Sequence, residues 1–294
     1  MKILLIGGSG QLGSELLSLD ISNEYKFLSP NSSELNITNK NKIKIYIEEK
    51  NPDIILNLSA YTDVNKAEKN LNDCLAINHL GVKNLVDVLS NFSVPLIHVS
   101  TDYVFGKKGY GPYKINDKRG ALNNYGYSKL LGEDEIIRSS KNAIIIRTAS
   151  LYGLFGNNFL KNYINILNKD KTISAITDQK ISLTWSYDLS LAILYLIKQI
   201  NLNKIFNDED NIKIMHLVNT GYTSWFEVAM IISDYMNKKA NDKNYTIVKG
   251  IKSTEWPSPP TRPQDSRLFS DNIVNIEMPF WKDSLNKVIK MYIK

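Results

Sequence analysis

An apolar run, Ile3-Leu4-Leu5-Ile6, passes directly into Gly7-Gly8-Ser9-Gly10-Gln11-Leu12-Gly13. Few folds accommodate such a junction. The apolar run suits a strand buried on both faces, and helical spacing follows in Leu12, Leu16 and Leu19. Gly7, Gly10 and Gly13 then form a G-x-x-G-x-x-G between strand and helix. The first glycine permits the tight turn, the second the close approach of a pyrophosphate, and the third close helix–strand packing. Amides at the helix start face the phosphates. The motif predicts dinucleotide binding, with Gln11 and Leu12 in the turn.

The same alternation continues. Strands are expected at 25–29, 53–58, 94–100 and 143–147, and helices at 40–50, 71–91 and 125–139. A polar, Gly- and Lys-rich loop spans 106–123. This pattern predicts an α/β fold of Rossmann type, a doubly wound parallel sheet with helices on both faces. Residues 1–150 form the dinucleotide-binding domain. Residues 151–294 form a smaller α/β domain, with some segments returning to the first sheet. Helices are expected there at 157–169, 185–200, 223–237 and 282–292, with short strands near 172–176, 214–218 and 245–248. Pro257, Pro259, Pro260 and Pro263 exclude regular helix or central strand from their segment.

With 43% hydrophobic and 22% charged residues, the 294-residue chain reads as an ordinary soluble protein. The net charge of +6 comes from dispersed lysines with no run of five or six like charges, which argues against a nucleic-acid partner. No stretch approaches a membrane span. The apolar start is too short for a signal peptide, so the cytoplasm is expected. Cys74 is the single cysteine and excludes an intrachain disulfide.

Cofactor choice is read at the end of the second strand, where an acid grips the ribose 2′-OH of NAD. Here the segment is Leu28-Ser29-Pro30-Asn31-Ser32, with no acid before Glu34. That leaves room for a 2′-phosphate, so NADP(H) is favoured and NAD(H) is allowed. Tyr125 and Lys129 make a Tyr-x-x-x-Lys at the start of a helix and share one face. An ordinary tyrosine pKa of about 10 is too high for easy proton exchange near neutrality. A neighbouring ammonium lowers it. Thr101 closes the fourth strand, and the carboxyl ends of parallel strands are where such sheets place their chemistry.

The order GGSGQLG, STDYVF, NNYGYSKLLGE resembles extended short-chain dehydrogenases and, more narrowly, the dTDP-4-dehydrorhamnose reductase family. The resemblance covers nearly the whole chain. It includes Leu35-Asn36-Ile37-Thr38, Asn57 to Val64, Asn78, Arg147-Thr148, Gly156-Asn157-Asn158-Phe159, Asp178-Gln179 and Arg262-Pro263-x-x-Ser266-x-Leu268. It implies reduction of the 4-keto group of a nucleotide-activated 6-deoxysugar, in the making of surface polysaccharide. Tyr125 is then the proton donor, Lys129 its electrostatic partner and Thr101 the group that orients the keto oxygen. Gly7, Gly10, Gln11, Leu12, Gly13, Asn36, Ile37, Ser59, Ala60, Tyr61 and Thr62 line the cofactor with Tyr125 and Lys129. Thr101, Asp102, Ser150 and Arg262 face the substrate, Arg262 as a bidentate partner for a diphosphate. The second domain takes the nucleotide sugar. No metal is expected, and a homodimer is allowed.

The chain departs from the family pattern at several positions. Ser150 stands where the family has a tryptophan. Asp178-Gln179-Lys180-Ile181-Ser182-Leu183-Thr184 lacks a glycine and a proline. Tyr113-Lys114-Ile115-Asn116-Asp117 has lost acids, and Ala121 replaces a proline. Glu15 matches an acid that helps bind magnesium at a dimer contact in some members, and here is expected as a solvated helix residue. Two alternatives share the framework. A sugar-nucleotide epimerase would retain NAD, and a dehydratase needs Asp-Glu after the strand-end threonine, where this chain has Asp102-Tyr103. A non-catalytic subunit resembling the regulatory subunit of methionine adenosyltransferase would need no intact Thr101, Tyr125 and Lys129.

Overall fold

The computed structural model describes residues 1–19, 24–107, 109–139, 142–206, 211–239, 245–256, 260–270 and 275–293. Its first half runs β1 (Lys2–Ile6), α1 (Gln11–Leu17), β2 (Lys26–Leu28), α2 (Lys40–Lys50), β3 (Ile54–Asn57), α3 (Val64–Lys69), α4 (Leu71–Leu75), α5 (Val82–Leu89), β4 (Leu96–Thr101), α6 (Asn124–Arg138) and β5 (Ala143–Thr148). There follow β6 (Leu151–Tyr152), α7 (Phe159–Asp170), β7 (Thr172–Ile176), β8 (Thr184–Trp185), α8 (Ser186–Asn201), β9 (Ile212–His216), α9 (Trp225–Lys239), β10 (Ile247–Ile251) and α10 (Trp281–Tyr292).

Six strands form one wholly parallel sheet in the order β2-β1-β3-β4-β5-β9. Because both faces are covered, its central strands are mostly apolar, with polar residues gathered toward their carboxyl ends. Ile3, Leu5, Ile54, Leu56, Ile97 and Ile146 pack on one face against Leu12 and Leu16 of α1 and Leu189, Ile193 and Ile197 of α8. On the other face, Leu4, Ile55 and Ile145 pack against Ile43 and Ile47 of α2, Leu85 and Leu89 of α5, and Ile136 of α6. α8 and β9 come from beyond residue 150 and complete this layer and this sheet. A second core, including Leu160, Ile164, Ile173, Val228, Ile232, Leu285 and Val288, gathers α7, α9 and α10 around the parallel pair β10–β7. Strand order reverses between β1 and β3, which opens a crevice at their carboxyl ends.

The helix expected at 71–91 spans Leu71 to Leu89, but Ala76–Gly81 is π-helical. Such turns favour functional sites, and Asn78 lies buried inside this one. α3 is one short helix beyond expectation, capped by Asp63, whose carboxylate accepts from Lys66 N at 2.9 Å. Pro260 and Pro263 are buried in irregular chain. Pro257 and Pro259, like Lys108 of the polar loop, lie outside the described residues.

Glu15 overturns its expectation. It is 4% exposed, and its Oε2 accepts from Ser186 Oγ at 2.5 Å. α1 packs along α8, so the helix face that carries Glu15 turns inward. Burial pushes its carboxyl pKa up, the Ser186 bond opposes that, and Asp188 adds to it. Among the described residues no helix is long and apolar enough to cross a membrane.

Candidate active site

The β1–α1 turn lies hard against the end of β3. Gly7 has φ +89°, and a Cβ there would sit 2.6 Å from Ser59 N. Gly10 is exposed and precedes α1 in extended conformation, its N–H closing on Gly7 O at 3.1 Å. Gln11 Nε2 is buried with no hydrogen-bond partner among the described residues. A buried donor in that state marks a place for a ligand acceptor. Leu12 is a core residue and Gly13 abuts the Gly8 backbone, so these two hold the turn from beneath, while Ile37 is buried on the other face of the sheet against Gly81. Asn36 is exposed, its Oδ1 accepting from Thr38 N and Thr38 Oγ1.

Ser59, Ala60, Tyr61 and Thr62 leave β3 on the other side of the crevice. Asn57 Oδ1 holds Ser59, and the Asn78 amide clamps Tyr61, accepting from its N at 2.8 Å and donating to its O at 3.0 Å. Asn78 Nδ2 also donates to Ser128 Oγ at 2.9 Å, which ties this loop to α6.

α6 brings Tyr125 and Lys129. Asn123 caps it, accepting from Gly126 N at 2.9 Å. A Cβ on Gly126 would lie 2.2 Å from Tyr103 O, so only glycine lets this first turn reach the end of β4. The Thr101 side chain stands close enough to the Tyr125 phenol to oppose the rise in its pKa, and the Tyr103 ring meets the Tyr125 ring edge-on at 5.8 Å. Thr101 Oγ1 donates to Asp102 Oδ1 at 3.0 Å and accepts from Tyr103 N at 3.2 Å. Hydroxyl and carboxyl are thus joined, with the phenol beside them. Lys129 is 1% exposed, and its Nζ donates to Val99 O at 2.7 Å.

Electrostatics here depart from expectation. Burial pushes the Tyr125 phenol above its ordinary value, with the Thr101 side chain opposing, and Lys129 is not among the groups acting on it. The lysine faces the Val99 carbonyl beneath the helix instead, so desolvation governs the phenol. Burial also lowers Lys129 to about 8.

Asp102 is 3% exposed, and burial, opposed by bonds from Ser266 and Thr101, raises its pKa to about 7. Its Oδ2 has no hydrogen-bond partner among the described residues. The folded pKa lies above the unfolded value of about 3.9, so folding favours the protonated form. The stability this contributes is complete below the unfolded pKa and is lost as pH rises through about 7. Asp102→Asn therefore gains stability over wild type at pH 8 relative to pH 5 in urea titrations. Equal pH dependence in both proteins would contradict this placement.

Arg262 donates to Asn65 Oδ1 at 2.9 Å, and its charge acts on the buried Tyr103 phenol. A guanidinium from the C-terminal segment thereby stands beside Tyr103. Ser150 occupies the β5–β6 junction with φ +43°, a strained conformation for a residue other than glycine. His98, Asn57 and Tyr103 join the site without having been expected there. His98 lies inside a strand and gave no motif signal, whereas Asn57 opens the Asn57 to Val64 segment and Tyr103 sits in the STDYVF segment beside Thr101.

The fold and this site together define an extended short-chain dehydrogenase/reductase. The sequence matches the family described as RmlD substrate binding domain over residues 1–293, and the chain belongs to that family. It is 30% identical to a dTDP-4-dehydrorhamnose reductase of Aggregatibacter actinomycetemcomitans, over 98% of each chain. It is 28% identical to the spore coat polysaccharide biosynthesis protein SpsK of Bacillus subtilis, over 98% of this chain and 97% of that one. The crystal structure of dTDP-4-dehydrorhamnose reductase from Bacillus anthracis in complex with NADP superposes with a TM-score of 0.88, at 30% identity and 99% coverage of both chains.

Proposed function

We propose that this protein reduces the 4-keto group of a nucleotide-activated 6-deoxysugar with NADPH, in the cytoplasm, as a step toward surface polysaccharide. The observation that carries this reading is the Tyr125 phenol set beside the Thr101 side chain at the end of β4, with only β3 between that strand and the glycine turn. The residues at that turn fit a dinucleotide. Gly7 presents backbone where a side chain would clash, and Gln11 keeps a buried amide donor unpaired. Glu34, the first acid after β2, is turned onto Asn31 N at 2.8 Å, away from the role of gripping ribose hydroxyls. That supports NADPH over NADH.

When bound, the reduced nicotinamide supplies a hydride to the carbonyl carbon. Thr101 and Tyr125 hold the carbonyl oxygen, and the Tyr125 O–H gives it the proton, so the ketone becomes an alcohol. Arg262 neutralises the diphosphate. Ser150 leaves the sugar pocket wider than a tryptophan would.

The test is a nicotinamide absorbance assay with dTDP-4-dehydrorhamnose and related 4-keto sugars. NADPH consumption that depends on the sugar is expected. Folded protein that binds NADPH yet consumes none with any of these sugars would contradict the reading, and tightly held NAD in the purified protein would favour an epimerase. Gly7→Ala weakens NADPH binding by roughly tenfold or more, because a left-handed backbone strains alanine by about 1–3 kcal/mol and the methyl group strikes Ser59. Fluorescence titration with NADPH measures it, and an unchanged Kd would remove the glycine turn from the site.

A further inference from the structure

Behind Lys129 runs a buried chain of polar groups in which every donor and acceptor can be assigned. Asn57 Oδ1 accepts from Ser59 N at 3.1 Å and from Ser59 Oγ at 2.6 Å. The backbone donor decides which end of the amide is oxygen. Asn57 Nδ2 therefore points at His98 Nδ1, 3.1 Å away, and that nitrogen accepts. His98 is wholly buried, and that burial holds its pKa well below the ordinary value. The neutral ring then carries its one proton on Nε2.

Nε2 stands 3.2 Å from Lys129 Nζ. An ammonium has three donors and no acceptor, so it would meet His98 donor to donor. A neutral amine accepts from Nε2–H and still donates to Val99 O. Only that form matches every partner in the chain.

We propose that His98, oriented by Asn57, is a positioning residue that favours the neutral amine of Lys129 in the cofactor-free protein, so that above its midpoint Lys129 takes a proton from solvent when the dinucleotide binds. The uptake half rests on the reductase reading above; the His98 half does not. The other titratable groups acting on Lys129 are Glu133, one turn along α6, and Cys74 of α4. Both favour the ammonium, burial opposes them, and the result is a pKa lowered to about 8. Across the ring, Asn57 is the neutral partner of His98.

Cofactor-free protein labelled with 13C at the lysine Cε positions tests this by NMR, with Lys129→Met to assign the signal. In wild type, the Lys129 resonance titrates at or below about 8, clear of the other lysines. In His98→Gln the amide oxygen can face the lysine and accept from the ammonium, so the midpoint rises by roughly one unit, tenfold in proton affinity. His98→Leu, which deletes the donor, moves it the same way, so either folded variant suffices. A Lys129 signal that titrates with the other lysines in wild type, or one unmoved in His98→Gln, overturns the proposal. Calorimetry of NADPH binding in buffers of different ionisation enthalpy reads the uptake. Wild type takes up a proton above the Lys129 midpoint, and His98→Gln takes up markedly less. Equal uptake in both would overturn that half. A protein that binds no NADPH fails the reductase reading and the uptake, whereas the NMR titration still decides the role of His98.

Discussion

Tyr125→Phe lowers kcat by roughly 10²–10⁴-fold while leaving the Kd for NADPH nearly unchanged. The phenol stands beside Thr101 at the end of β4, and phenylalanine fills the same half-buried space without a proton to give. A loss confined to kcat and kcat/KM, with cofactor binding preserved, identifies an interaction made in the transition state. Stopped-flow reduction together with NADPH titration separates the two. Full activity in Tyr125→Phe would move proton delivery to another group. A protein whose cellular role survived the change untouched would be a binding subunit.

The largest effect on stability is expected at Arg147→Ala. Arg147 on β5 and Glu133 on α6 are both sealed from solvent and joined by Nε–Oε1 at 2.9 Å and Nη2–Oε2 at 2.8 Å. Arg147 also donates to Ile115 O at 3.0 Å and stacks over the Phe105 ring at 5.0 Å. Burial pushes the Glu133 carboxyl up, but the bond and charge of Arg147 outweigh it and hold the pKa below the ordinary value. Removing one partner leaves a buried charge short of compensation, which costs about 3–5 kcal/mol. Arg119 also reaches Glu133, at 2.9 Å, but stands partly in solvent, so Arg119→Ala costs far less. Urea denaturation compares them, and a loss of under about 1 kcal/mol for Arg147→Ala would contradict this assignment. Glu133 lies one turn beyond Lys129, so the ion pair fixes the helix that carries both Tyr125 and Lys129.

The sheet was legible because each central strand is a short apolar run closed by glycine or polar residues. β3 and β5 are covered on both faces and need no alternation. Where the physics is not periodic, the sequence was silent. β6 and β8 are two residues each, and the π-helical Ala76–Gly81 inserts itself without disturbing the apolar stripe. The glycine turn, Thr101, Tyr125 and Lys129 were visible as motifs because their chemistry demands those residue types at those spacings. The direction of Lys129 was not. It is set by Val99 O and His98, one a backbone group and the other a strand residue with no local signature. Glu15 misled for a related reason. A lone acid on a short helix reads as solvated until α8 supplies Ser186 against it.

In the proposed mechanism, hydride and proton reach one carbonyl at the Thr101–Tyr125 pair. The most direct measurement uses NADPH carrying deuterium at nicotinamide C4, in each stereochemical form separately, with dTDP-4-dehydrorhamnose as acceptor and NMR of the sugar product. Deuterium at the sugar C4 from one form and not the other is predicted. Recovery of unreduced ketone from both, with the label still on the nicotinamide, would contradict the account.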